Sequence, residues 1–423
     1  MKKALVLILC LSMMLLTGCV SEQSRGALVP NKEKPIVWFN NQPANSLSGE
    51  LDMDALSFNG KTWYVGSNAN QGAELQGRMV LDYLVSHGEG LDRNGDGIIG
   101  YVLLIGDIGH NDSISRTRGV RSALGTAVPD TVQGLTEIHD VDDIYSLPIG
   151  INLDGSSDKT VDGSITIDGQ EYILRELASQ EMKSISGATW DAATAANIFG
   201  TWSTSFGDQI DVVVSNNDSM GMAVFNSWAR KNRIPVFGYD ANPDCVAAIQ
   251  EGFAGTISQN ADIQAYMILH LLRNGLDDAD PMTGIAFPDE AGNVVPEGMF
   301  VFRSEERSFY ANNSIVNAET YEDFTDSMRA NPYFTHQLDN GGETPNRIWI
   351  DFPNNYDFFY NGTFSAQFAN YDDILNLDLR FVRGDGLTES SVVDRLVNPQ
   401  DFEAFGLLMI KKDNASAYLS RFR

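Results

Sequence analysis

Residues Asp92 to Arg116, DRNGDGIIGYVLLIGDIGHNDSISR, decide the fold. In order they hold an acidic loop spaced like a calcium site, a continuous apolar run, and a polar turn that opens a helix. A run apolar throughout, as Tyr101 to Ile105 is, suits a strand buried on both faces, the situation of a parallel sheet covered by helices. Open sheets of that kind bind ligands just past the carboxyl ends of their strands. His110, Asp112 and Arg116 stand at that place, so one stretch points to an α/β fold and to a site.

Working outward, the pattern repeats. Upstream, Pro35 to Phe39 and Thr62 to Val65 predict short strands, and Gln71 to Ser86 has helical apolar spacing. Downstream come a strand at Asp211 to Ser215, a helix at Ser219 to Arg230, a strand at Ile234 to Gly238 ending at Asp240, and helices at Val246 to Gly252 and Asn260 to Asn274. Repeated strand–helix units imply parallel sheets with right-handed crossovers. Gly125 to Gln180 breaks this order, and within it SITIDGQEYIL, Ser164 to Leu174, carries the Asp-Gly signal of a hairpin. That region reads as an inserted surface subdomain.

From Pro288 to Asn346 the pattern weakens, with one clear strand at Met299 to Phe302. A second series of units follows, with strands at Ile348 to Phe352, Leu377 to Val382 and Leu407 to Ile410 and helices about Tyr356 to Phe368, Ser390 to Leu396 and Ala415 to Phe422. The last helix has no strand after it, and the first strand has no helix before it. The end of the chain reads as if it should continue into its beginning.

A chain of 423 residues is too long for one small core and suggests two lobes. Its formal net charge of −28 argues against nucleic acid as a partner, because phosphate binding needs clustered Lys and Arg. The first residues, MKKALVLILCLSMMLLTGCV, have a basic start and an apolar run too short and wrongly flanked for a membrane span, so 1–18 reads as a secretory signal. Leu16-Thr17-Gly18-Cys19 resembles the bacterial lipobox, which implies a lipid on Cys19 and a polar tether through residue 34. Cys10 lies in the signal, leaving Cys245 as a spare thiol and no disulfide framework.

The segments DRNGDG, GDIGHNDSISR, ATWDAA around Trp190, VVVSNNDSMGM and IPVFGYDA resemble the periplasmic glucose/galactose-binding proteins of sugar ABC importers. The opening units of that family are missing from the start of this chain, but RIWIDFPNNYDFF, Arg347 to Phe359, resembles them. The resemblance therefore implies a circularly permuted member with a two-lobed type I periplasmic-binding-protein fold, each lobe a mostly parallel sheet flanked by helices. Permutation is tolerable where termini lie close together at a surface. One lobe is expected to combine 35–67, 259–293 and 346–423, the other 68–258 and 294–325, with a linker at 326–345. Strand crossings near Ser67, Ser258 and Val294 would form the hinge.

A hexose has hydroxyls that donate and accept together with apolar C–H faces, so its site needs paired polar groups and flat aromatics. By the resemblance, Trp190 and Phe359 are the stacking rings, and Asn40, His110, Asp112, Arg116, Asn217, Asp240 and Asp357 supply hydrogen bonds. Gln259 stands where the family has Asn, which bears on the choice between glucose and galactose. Taken singly, Trp190 could be core, and His110 or Asp240 a turn residue or helix cap. Asn40, His110, Asp240 and Asp357 nevertheless all follow expected strands, where open sheets place ligands.

Asp92, Asn94, Asp96 and Gly97 match the first half of a calcium loop. Leu103 occupies the twelfth position, inside a strand, so a carboxylate must come from elsewhere. The resemblance assigns that role to Asp211 and adds the Ile98 carbonyl. Gly100 replaces the family's Gln, and Asp211 is shorter than the family's Glu. The alternative is a metal-free turn held by its own Asx side chains.

The resulting expectation is a monomeric, lipid-anchored receptor outside the cytoplasmic membrane that passes a hexose to the permease of an ABC importer. A chemosensory role is compatible with it. A glycosidase would need two carboxylates flanking the scissile bond, and Asp240 with Asp357 could be cast so, but the resemblance assigns both to hydroxyl binding.

Overall fold

The computed structural model describes residues 32–43, 51–108, 110–127, 160–285, 300–330, 345–353, 364, 367–368, 375, 377–384 and 402–408. Along the chain these form β1 (Ile36–Phe39), α1 (Met53–Leu56), β2 (Thr62–Ser67), α2 (Ala69–His87), β3 (Ile98–Ile105) and α3 (Asn111–Ala123). Then come β4 (Gly163–Ile167), β5 (Gln170–Glu181), α4 (Ala192–Phe206), β6 (Val212–Ser215), α5 (Asp218–Val224), β7 (Val236–Phe237), α6 (Pro243–Ile249), β8 (Gly255–Ser258) and α7 (Ala261–Leu276). The rest are β9 (Phe300–Arg303), β10 (Ser308–Ala311), β11 (Ser314–Asn317), α8 (Tyr321–Ala330), β12 (Asn346–Pro353), β13 (Leu377–Gly384) and β14 (Ala404–Leu408).

Two seven-stranded sheets organise these elements, in the orders β13-β12-β14-β1-β2-β10-β9 and β11-β8-β7-β6-β3-β5-β4. Within the first, β9 alone is antiparallel to its neighbour, and within the second β11 and β4 are. β3 lies inside the second sheet between β6 and β5, and Tyr101 to Ile105 are buried throughout, as their unbroken apolar sequence requires. β14 fits between β12 and β1, parallel to both. The carboxyl-terminal strands thus share a sheet with the first strand of the chain.

Three connections cross between the lobes. β2 belongs to the first sheet, but α2 packs in the second core with Met79, Val80 and Leu84. β8 belongs to the second sheet and α7 to the first core, through Ile263, Met267 and Leu271. The third crossing runs from β10 to β11 at Asn312 and Asn313, not near Val294 as expected. The polar residues at the crossings bind one another: Asn313 Nδ2 donates to the Asn68 carbonyl at 2.6 Å, and Asn260 Nδ2 to the Asn312 carbonyl at 2.6 Å. β9 and β10 consequently belong to the first lobe. β9 is the strand expected at Met299 to Phe302, whereas β10 escaped the sequence reading because it is buried at every position and lacks the period-two signal of a half-exposed strand.

The expected hairpin is present. β4 and β5 pair antiparallel around Asp168 and Gly169, both with positive φ (51° and 85°), as the two-residue turn demands. It is not a separate surface subdomain, however, since Ile173 to Glu181 of β5 pair with the whole of β3. Arg121 of α3 clamps Glu176 of β5 through two bonds, 2.7 and 2.6 Å, and Tyr101 donates to the same carboxylate at 2.9 Å. A fully buried carboxylate is stable only with such partners. Residues 128–159 of the expected insertion lie outside the described residues, as do the signal, Cys19, most of the tether, residues 331–344 of the linker and the last helix. No described helix is long and apolar enough to cross a membrane.

Candidate functional site

The carboxyl ends of β1, β3, β6, β7 and β8 bring the expected residues together around Arg116 on α3. Its guanidinium is buried and lies flat on Tyr239, 3.6 Å from the ring centre, with Trp190 at 5.6 Å. Nη1 donates to the Asn216 carbonyl at 2.7 Å and lies 3.5 Å from Asp240 Oδ1, while Nη2 lies 3.4 Å from Asp112 Oδ2. Burial opposes the charge, but Tyr239, Asp240 and Asp112 outweigh it and hold the guanidinium protonated above its ordinary range. Nε has no partner, so the fork is anchored at its tip and keeps one donor in reserve.

Asp240 follows β7 with φ of 120°, and its N–H donates to the Ile257 carbonyl of β8 at 2.7 Å. Gln259 Nε2 donates to Asp240 Oδ1 at 2.7 Å, and Ser67 Oγ donates to Gln259 Oε1 at 3.0 Å. Gln259 therefore links a hinge residue of the first lobe to a carboxylate of the second. Asn217 is a cap: its Oδ1 accepts from the Met220 N–H at 3.0 Å. That bond is the ordinary role of Asn at a helix start.

His110 caps α3, with Nδ1 accepting from the Asp112 N–H at 3.2 Å, and its ring meets Trp190 edge-on at 5.7 Å. Trp190 itself has φ of 59° and lies against Gly106, where a Cβ would come within 2.3 Å of the indole. Glycine at 106 is what lets the ring settle there. Asn40 also has a positive φ, 58°, and its Nδ2 donates to Asn41 Oδ1 at 3.3 Å. Non-glycine residues with positive φ cost about 1–3 kcal/mol each and collect where a site over-determines them; Asn40, Trp190 and Asp240 fit that pattern. Asp357 and Phe359 lie outside the described residues.

Three residues at this place escaped the sequence reading. Tyr239 carries the guanidinium, and Asn41 meets His110 across the lobes at 3.0 Å. Asn216 Oδ1 gathers the Gly106 N–H and the hydroxyls of Ser113 and Thr117, while its Nδ2 has no partner. The signal for Asn216 was the doubled Asn of VVVSNND, of which one amide suffices as a cap.

The acidic loop behaves first as a set of Asx turns. Asp92 accepts from the Gly95, Asp96 and Gly97 N–H groups, and Asp96 from that of Ile98. Asp211 accepts from the Arg93 and Gly100 N–H groups at 3.1 and 2.8 Å. Burial, with Asp92 adding negative charge, pushes the Asp211 carboxyl up to about 7 despite those donors. Gly100 has no room for a side chain, because a Cβ would lie 2.2 Å from the Gln209 carbonyl oxygen. Among the described residues no three His, Cys, Asp or Glu side chains are grouped as a metal site. The oxygen-only donors suit a hard cation, and the uncompensated charge near Asp211 is of the sign a cation would relieve.

Two models, each described as a periplasmic binding protein domain, match this chain, at residues 151–279 and 345–415. Together with the two mostly parallel sheets they define the type I periplasmic-binding-protein fold. The D-galactose/methyl-galactoside binding periplasmic protein MglB of Haemophilus influenzae is 24% identical over 247 residues, 57% of this chain and 56% of that protein. A xylitol-binding protein of Mycolicibacterium smegmatis is 31% identical over 99 residues, 23% of this chain and 28% of that one. The chain thus spans about half, or less, of the length of these curated relatives. Among solved structures, a periplasmic solute binding protein from Actinobacillus succinogenes with bound D-allose matches at a TM-score of 0.41 and 15% identity, covering 68% of this chain and 71% of that one.

Proposed function

We propose that this protein is an extracytoplasmic receptor that holds a hexose, glucose or galactose, between its lobes and hands it to the permease of an ABC importer. The observation that carries the reading is the anchored Arg116, set among Asp112, Asp240, Trp190 and His110 at the strand ends. Fixed donors, carboxylate acceptors and an aromatic face are what a polyhydroxylated ring requires. Such a site rejects an analogue lacking one hydroxyl, because a buried partner is left unpaired. Asp357 and Phe359 would contribute from the first lobe, and sugar touching both lobes would favour closure by differential contact.

The remaining parts of the proposal have their own supports. The lipobox sequence supports a membrane tether at Cys19, with the protein acting as a monomer. The parallel placement of β14 beside β1 supports a circularly permuted chain whose family opening lies at 346–423. Calcium would be held by Asp92, Asn94, Asp96, the Ile98 carbonyl and Asp211, where it would supply structural rigidity and no chemistry. Isothermal titration of the purified, sugar-free protein with glucose and galactose tests the main reading. Micromolar or tighter binding of one is expected, and no heat with either would overturn the hexose assignment.

A further inference from the structure

His110 and Asn40, assigned above to the sugar, reach toward one and the same protein atom. Asn41 Oδ1 lies 3.0 Å from His110 Nε2 and 3.3 Å from Asn40 Nδ2. The tautomer of His110 follows from its other nitrogen. Nδ1 accepts the Asp112 N–H at 3.2 Å, so the ring proton sits on Nε2 and Nε2 donates. A carboxamide oxygen that accepts from two neighbouring donors presents what a sugar hydroxyl oxygen would present. Asn40 and Asn41 follow β1 of the first sheet, whereas His110 opens α3 beside the second. The bond therefore spans the cleft.

We propose that Asn41 is an affinity-determining residue of the site, an internal stand-in for a ligand hydroxyl that occupies the donors of Asn40 and His110 until sugar displaces it. The proposal rests on the hexose reading and makes it more specific. Binding then exchanges one hydrogen bond for another at this point and gains little there, while the donors never face the cleft unpaired. The same bond also holds the lobes together in the sugar-free protein, so it stabilises the free state and opposes its own displacement by sugar.

Two measurements on the purified protein test it. Asn41→Ala should bind the preferred hexose about three- to tenfold more tightly, because the competing bond is removed from the free state alone. Unchanged or weaker binding would overturn the proposal, weaker binding showing Asn41 to contact the sugar itself. Small-angle scattering of the sugar-free protein supplies a readout independent of any sugar. Asn41→Ala and His110→Ala should each enlarge the radius of gyration, by the same amount and without addition in the double variant. Equal radii for all four proteins would remove the cross-lobe bond, whereas enlarged radii without hexose binding would leave it standing and sink the hexose reading instead. Retained thermal transitions show that the variants fold.

Discussion

The two acidic clusters of this protein use the same residue type in opposite ways. In the Asp92 loop Asp96 is exposed and Asp92 half-buried, and both carboxylates are spent on the N–H groups of their own turn. Around Arg116, Asp112 and Asp240 are largely withdrawn from water and face its guanidinium, Asp112 from one turn away on α3 and Asp240 from beyond β7, where the amide of Gln259 also meets it. An exposed carboxylate needs no partner because water screens it; a buried one must be compensated by charge or by donors. The loop is thus built locally, and the site is built by the fold.

Breaking the site should cost most. Arg116→Met leaves Asp112 and Asp240 facing each other without a cation, and a loss of about 3–5 kcal/mol is expected in denaturant titration. A loss below about 1 kcal/mol would mean that the guanidinium does not hold the cluster together. The loop responds to metal instead. Calcium at about 100 times its Kd should add about 2.7 kcal/mol, read as a rise in Tm over the EDTA-treated protein, and Asp92→Ala should abolish the rise. An equal rise in the variant would detach calcium from this loop.

Trp190→Ala should weaken hexose binding more than tenfold, with its fold intact by circular dichroism; undiminished titration heat and affinity would take the indole out of the site. Asp218 sharpens the contrast from within. Thr256 Oγ1 and the Asn242 N–H donate to it at 2.7 Å each, yet burial pushes its carboxyl from 3.8 up to about 7. In that window the folded protein keeps a proton that the unfolded chain releases. Its contribution is therefore full below pH 3.8 and is lost as pH rises through about 7. The slope is at most about 1.4 kcal/mol per pH unit. Asp218→Asn should flatten this part of the stability profile, and an unaltered profile would assign the slope to another group.

Much of this was legible residue by residue. β3 showed itself because burial on both faces leaves no polar position, and the β4–β5 turn because Asp-Gly suits two consecutive positive φ values. His110, Asp112, Arg116 and Asp240 could be expected at the strand ends because each follows a strand that periodicity could locate. β10 and β11 were missed, β10 because burial at every position leaves no alternation to read, and the third crossing was misplaced with them. Asn217 is expected as a hydrogen-bonding member of the site, and among the described residues its side-chain oxygen caps a helix. A cap and a ligand group use the same amide oxygen, and only coordinates show where it points.

By itself the sequence determined the alternation of apolar strands and helices, the two-lobed parallel architecture, the acidic turn and the rank of polar residues behind the strands. These are consequences of local periodicity and turn chemistry, and they act over a few residues. Tertiary structure alone decided that β5 joins β3, that Tyr239 carries the guanidinium and that Asn41 reaches His110 across the cleft. Those pairings join residues tens of positions apart or more. No local pattern encodes them, because what selects them is the packing of two finished cores against each other.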